Sequence, residues 1–168
     1  MEKNLRIKKI VLTALFAAMA VLLSGVHFPV GPTKVFPFQH TINCLAGVLI
    51  GPWYGGLAAF IAGLIRNALG TGTIFAFPGG IPGAIVVGLV YHWLRRDWAS
   101  LTEPIGTGFL GVSLIVLLFG PMLGKDFAFL FFFTAFMASS IPGSLLGYFL
   151  LRGIRKAKIL DLSPVPKP

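Results

Sequence analysis

Residues Phe36–Gly80 read FPFQHTINCLAGVLIGPWYGGLAAFIAGLIRNALGTGTIFAFPGG, and here polar side chains gather within otherwise apolar sequence. Gln39, His40 and Asn43 open one apolar run, and Arg66–Asn67 close the next, just before a loop rich in glycine and threonine. Ionisable and amide groups at the margin of a bilayer span are costly to hold there, so they mark a functional site by default. The segment predicts the outward-facing mouth of a small-molecule binding pocket in a membrane protein.

The composition also indicates a membrane protein. Of the 168 residues, 56% are hydrophobic and only 11% are charged, and the mean hydropathy is +0.88. A soluble domain of this length would need more charged residues to cover its surface. The net charge of +9 comes from cations that flank apolar runs, which is typical of contact with a lipid bilayer and not with nucleic acid. We therefore expect a single membrane domain over residues 1–168.

The apolar runs predict an all-α protein with six transmembrane helices, at about residues 10–26, 39–50, 53–69, 78–94, 105–123 and 127–151. The Gly51-Pro52 pair separates the second helix from the third, because one helix over residues 39–69 would be about 46 Å long and too long for a bilayer core of about 30 Å. Six spans leave Lys34, Arg66 and Lys125 on one side and the other cations on the side of the termini, which places both termini in the cytoplasm. The polar residues 95–104 and the basic, proline-ended tail are predicted outside the bilayer.

The predicted pocket combines the polar groups with aromatic walls. On a helix Gln39 and Asn43 are four residues apart and His40 and Asn43 three apart, so the three side chains share a face. The candidate binding residues are Phe36, Phe38, Gln39, His40, Asn43, Arg66, Asn67, Thr71, Thr73, Phe75 and Ser139. The alternatives are structural: Arg66 can extend to lipid head groups, the amides can cap helix ends, and Ser139 can bond to its own helix.

Two runs of small residues suit close packing of helices. Ala14 and Ala18, with Ala17 beside them, lie on the first predicted span, and Gly143 and Gly147 lie on the last. Such spacing serves either docking of a partner helix or packing within the bundle.

Signals of catalysis are weak. The segment GPMLGKD at residues 120–126 departs from the spacing of a P-loop and carries Asp126 where that motif needs serine or threonine. The histidines at 27, 40 and 92 are scattered, and all five acidic residues are predicted to be peripheral: Glu2, Asp97, Glu103, Asp126 and Asp161. The sequence therefore predicts no enzyme, no catalytic residues, no metal site and no cofactor.

The motifs FPFQHTINCLAGVLIGPWYG and GLIRNALGTGTIFAFPGGIPGA closely resemble the ThiW family, thiazole-type substrate-binding (S) components of energy-coupling factor transporters. The similarity spans essentially the whole chain and is strongest over residues 36–84. It implies a six-helix vitamin-capture subunit in a prokaryotic plasma membrane, which hydrolyses no ATP and docks to a transmembrane coupling protein attached to two ATPases. An alanine-rich face of the first helix contributes to docking in the family, matched here by Ala14, Ala17 and Ala18. The implied cargo is hydroxyethylthiazole, a thiamine precursor.

Other readings stay open. The ring nitrogen and hydroxyl of that thiazole could bond to His40, Asn43 or Asn67. The surplus of cations would suit a phosphorylated precursor equally, and another vitamin, such as a pyrimidine precursor, is a further alternative. A stand-alone facilitator or channel for a small solute is the alternative from another class, and an intramembrane enzyme or assembly factor is a third.

Overall fold

The computed structural model describes residues 2–30 and 33–157, which form six helices and one short hairpin. The hairpin pairs β1 (Phe28–Val30) with β2 (Thr33–Val35) in antiparallel register, with Phe28 opposite Val35. The helices are α1 (Glu2–Leu23), α2 (Pro37–Ile50), α3 (Pro52–Ala68), α4 (Ala76–Leu94), α5 (Asp97–Leu123) and α6 (Phe129–Lys156). The predicted basic, proline-ended tail lies outside the described residues, apart from the last turns of α6.

The bundle exposes many large apolar side chains and buries several polar ones within its core, unlike a typical soluble protein. Trp93 and Leu117 are 85% and 75% exposed, whereas Gln39, Arg66 and Glu103 are buried. Such a surface suits lipid, and α4, α5 and α6 are each long and apolar enough to cross a bilayer. The prediction of a mostly helical membrane protein is confirmed, while the six crossings and the cytoplasmic side of the termini stay predictions.

The break between α2 and α3 is built by two residues. Gly51 has a φ of 91°, a backbone conformation that a residue without a Cβ adopts readily. Pro52 then opens α3, where its missing N–H would have no partner within the helix. The two helices are 14 and 17 residues long. At 1.5 Å per residue they measure about 21 and 26 Å, somewhat less than a bilayer core of about 30 Å.

Helix α5 begins earlier than its hydropathy predicted. Its first turns, Asp97–Thr102, are 3-10 helix, and π-helical stretches follow at Ile105–Gly111 and Ile115–Phe119. Ala99 and Ser100 are buried, so the polar segment that was predicted outside the bilayer packs against the bundle. Small residues permit the close approach: a Cβ on Gly106 would meet the carbonyl of Pro82 in α4.

The glycine pair of α6 serves packing within the bundle. A Cβ on Gly143 would meet Pro37 and His40 of α2, and one on Gly147 would meet Cys44. The small residues of α1 are divided between two faces. Ala17 is only 2% exposed and packs within the bundle, while Ala14 and Ala18 are exposed.

The ends of the bundle differ in character. At one end the ammonium group of Lys9 lies 5.5 Å from the centre of the Tyr54 ring, and Arg155 bonds to Asp97 at 2.6 Å. The start of α1 and the end of α6 therefore lie at this end, together with the α4–α5 connection. The hairpin and the loop between α3 and α4 lie at the other end, where the bundle opens into a cavity.

Candidate functional site

A cavity of about 690 Å³ lies at the hairpin end of the bundle. The hairpin, the start of α2, the end of α3 with its loop, the start of α4, and α6 all contribute to its walls. Of the predicted candidates, these line it: Phe36, Gln39, His40, Arg66, Thr71, Thr73, Phe75 and Ser139. Its mixture of aromatic surface and a few polar groups is typical of small-molecule sites.

Arg66 supplies the cation of the cavity and is only 2% exposed. Its guanidinium donates hydrogen bonds to Oε1 of Gln39 and, over 3.3 Å, to the carbonyl of Thr71. It also lies 4.5 Å above the centre of the Phe36 ring, a cation–π contact. Its Nε has no hydrogen-bond partner among the described residues. Arg66 thus faces inward and does not extend to lipid head groups, and within the described part of the chain the N–H at its Nε is left free to donate to a ligand.

Three predicted candidates do not line the cavity. Asn67 donates from Nδ2 to the carbonyls of Gly63 at 2.8 Å and Thr73 at 3.0 Å, so it holds the loop after α3 in place. Asn43 lies behind the cavity in a buried network, and Phe38 is half-buried away from the lining. The three-residue face predicted on α2 is therefore divided, with Gln39 and His40 at the cavity and Asn43 deeper.

Ser139 connects α6 to the hairpin. Its hydroxyl oxygen accepts a hydrogen bond from the backbone N–H of Phe36 over 3.1 Å. It thereby fixes the residue whose ring packs against Arg66, and this contact differs from the bond to its own helix that serine often makes.

Much of the aromatic wall comes from α6. Phe131, Phe132 and Phe136 line the cavity, and the ring centres of Phe75 and Phe132 are 4.8 Å apart. The phenylalanines of α6 recur on every face of the helix, so helical periodicity does not select the ones that line the cavity. Their number near the start of α6 was the available signal, but only the packing shows which of them face inward.

The prediction that Glu103 is peripheral is wrong. Glu103 is fully buried, and its Oε1 lies 2.8 Å from Nδ1 of His40, 2.7 Å from the Thr107 hydroxyl and 3.3 Å from Nδ2 of Asn43. The residue was misplaced because it follows the polar residues at the start of α5. A hydroxyl one turn later, at Thr107, was the signal for an inward polar face.

We expect Gly83→Ala to disrupt this network. A Cβ at position 83 would meet Oε1 of Glu103 and the hydroxyl of Thr107, neither of which can move without losing bonds. The overpacking should lower the free energy of unfolding by about 1–3 kcal/mol. Thermal unfolding of purified protein measures this. Gly153→Ala is the matched control, because nothing lies within 4 Å of its Cβ and alanine favours helix; equal melting temperatures for the two variants would contradict the crowding at Gly83.

The chemistry available at the cavity is that of binding. Within residues 2–30 and 33–157, no group of three or more His, Cys, Asp or Glu side chains could hold a metal ion. The cavity offers a guanidinium, an amide, an imidazole and aromatic faces, which can orient a small heterocycle.

Comparison with known proteins places the chain in a family of transporters. Residues 10–157 match the sequence model of the family described as "Thiamine-precursor transporter protein (ThiW)". The biotin transporter BioY of Rhodobacter capsulatus is 33% identical over an alignment of 170 positions, which spans 86% of this chain and 87% of BioY. UPF0397 proteins of Streptococcus sanguinis and Streptococcus gordonii are 30% and 31% identical over 95 and 98 residues, which cover 56% of this chain and 52% of each relative.

The family match runs from within α1 to the end of α6, and the biotin transporter extends the similarity to a second vitamin carrier. The predicted resemblance is thereby confirmed. The chain belongs to the ThiW family of thiamine-precursor transporters, and it is a membrane transport protein and not an enzyme.

Proposed function

We propose that the protein is the substrate-capture (S) subunit of an energy-coupling factor transporter and binds hydroxyethylthiazole at the outer face of a prokaryotic plasma membrane. One observation supports this above all: in a chain of a thiamine-precursor transporter family, Arg66, Gln39 and His40 meet aromatic side chains in one cavity. The cavity lies at the end of the bundle opposite the start of α1 and the end of α6. A site on the outer face requires this arrangement if both termini are cytoplasmic.

The lining suits a small aromatic heterocycle. Phe75, Phe132 and Phe136 can pack against a ring, and such aromatic contacts favour offset or edge-to-face geometry. Arg66 can donate to a ring nitrogen, and His40 can bond to a hydroxyl group. The cavity is larger than one small ring requires, so its size alone does not select among thiamine precursors.

A phosphorylated precursor is the second candidate, favoured by two features of the charge. Nε of Arg66 is buried without a partner among the described residues, and Lys34 is exposed on the cavity lining. Guanidinium groups bind phosphate oxygens through paired donors. The phosphate would lie at the Arg66 end, away from Glu103.

Calorimetry with purified protein distinguishes these cargoes. We expect hydroxyethylthiazole to bind with a dissociation constant in the micromolar range or below, and a hydroxymethylpyrimidine to bind at least about tenfold more weakly, a difference of about 1.4 kcal/mol. Tighter binding of the thiazole phosphate would favour the second candidate. Binding of the pyrimidine alone would contradict the thiazole assignment.

We also propose that partner ATPases drive uptake through a transmembrane coupling protein that contacts α1. The exposed face of α1 carries Ala14 and Ala18 between larger apolar residues, of which Val11 is 60% and Leu22 is 78% exposed. Small residues within an apolar face permit close approach of another helix. Uptake into vesicles that contain this chain alone would instead support a stand-alone facilitator.

A further inference from the structure

Glu103 is a fully buried acid within the long apolar helix α5, and it does not itself line the cavity. All its hydrogen-bonding contacts converge on one oxygen, Oε1, while Oε2 is buried with no partner among the described residues. Buried polar atoms without partners are rare in folded proteins and call for a functional explanation. One of the side chains at Oε1 is His40, which lines the cavity, so Glu103 is linked to the binding site through that residue.

The directions of these hydrogen bonds follow from the neighbours. Nδ2 of Asn43 lies 3.2 Å from the carbonyl of Gly80 as well as 3.3 Å from Glu103, so the NH2 group donates to two acceptors. The Thr107 hydroxyl lies 2.7 Å from both Oε1 and the carbonyl of Gly79, and its single hydrogen can be donated to one of them at a time. An ionised carboxylate can only accept, so with Glu103 in that form the bond with His40 requires a hydrogen on Nδ1, which is donated over 2.8 Å.

A neutral imidazole carries one N–H, so a hydrogen on Nδ1 leaves Nε2 as an acceptor. His40 also lines the cavity, and Nε2 is the ring nitrogen that remains for a ligand. Arg66, elsewhere on the same lining, can only donate. With a neutral His40, the cavity presents a donor at Arg66 and an acceptor at His40.

We propose that Glu103 is a positioning residue: it holds His40 with an unprotonated Nε2, so that the cavity selects ligands that present an O–H or N–H donor there. This rests on the proposed function only for the identity of the ligand. A heterocycle with an acceptor atom and an alcohol fits this arrangement, and the corresponding ether does not.

The tautomer can be measured without any ligand. 15N NMR of protein labelled at histidine distinguishes a ring nitrogen that carries hydrogen from one that does not, and His40→Gln assigns the signals against those of His27 and His92. We expect Nδ1 protonated and Nε2 unprotonated in the wild type and in Glu103→Gln, which keeps an acceptor oxygen. Glu103→Leu should give a mixture of tautomers. A protonated Nε2 in the wild type would overturn the proposal, whether or not the leucine variant folds.

The selectivity is tested with hydroxyethylthiazole and its O-methyl ether as probes. We expect the wild type and Glu103→Gln to bind the alcohol at least about tenfold more tightly than the ether, and Glu103→Leu to discriminate by less than about threefold. An unchanged preference in Glu103→Leu would overturn the positioning role. If neither probe binds while the NMR result holds, the thiazole assignment fails and the tautomer assignment stands.

Discussion

Arg66→Ala is expected to weaken binding of hydroxyethylthiazole by roughly 10- to 100-fold, because hydrogen bonds to charged groups contribute about 1.5–3 kcal/mol. The substitution removes the guanidinium that bonds to Gln39 and Thr71 and packs on Phe36. Those neighbours would lose their order, and the ligand would lose its donor. Calorimetry measures the loss, and thermal unfolding without ligand reports separately whether the bundle remains folded.

Two further variants sharpen this test. Arg66→Lys keeps the charge but not the planar set of donors, so we expect it to recover only part of the affinity. Arg152→Ala is the matched control, since Arg152 is exposed near the far end of α6 and bonds to Tyr148. Full affinity in Arg66→Ala, or an equal loss in Arg152→Ala, would remove Arg66 from the binding site.

Ala14→Leu combined with Ala18→Leu is expected to reduce partner-dependent uptake to background while ligand binding stays at the wild-type level. Both side chains are exposed on α1 and neither lines the cavity, so added bulk should obstruct a docked helix without disturbing the pocket. Uptake of labelled thiazole into vesicles with the coupling protein and ATPases measures the first effect, and calorimetry measures the second.

Ala138→Leu is the control for this pair, because it makes the same change at an exposed position on α6. Ala17 is left unchanged, since it is 2% exposed and a leucine there would overpack the core. Normal uptake by the double variant would exclude this face of α1 from docking.

The sequence predicted the features that depend on local physics. Long apolar runs predicted the helices, and Gly51-Pro52 predicted the separation of α2 from α3 that the structure shows. Polar residues at the ends of those two helices predicted a shared site, and the structure brings Gln39, His40 and Arg66 to one cavity. The helices and their break could be predicted because each rests on residues that lie close together in the chain, whereas the shared site stays a prediction.

The features that depend on distant pairing were missed. Glu103 contacts His40 across 63 residues of sequence, and nothing near position 103 indicates that partner. Asn43 shares a helical face with His40 but turns out to lie behind it, because Gly80 and Glu103 offer acceptors there. Phe132 faces the cavity because α6 packs against Phe75, a choice among four nearby phenylalanines that helical periodicity alone does not make.

A structure of the protein determined with bound hydroxyethylthiazole tests the central claim most directly. We expect density for the ring among Phe75, Phe132 and Phe136, with the ligand in hydrogen-bonding distance of Arg66 at one end and of Nε2 of His40 at the other. Density at a different surface, with this cavity empty at saturating ligand, would contradict the account.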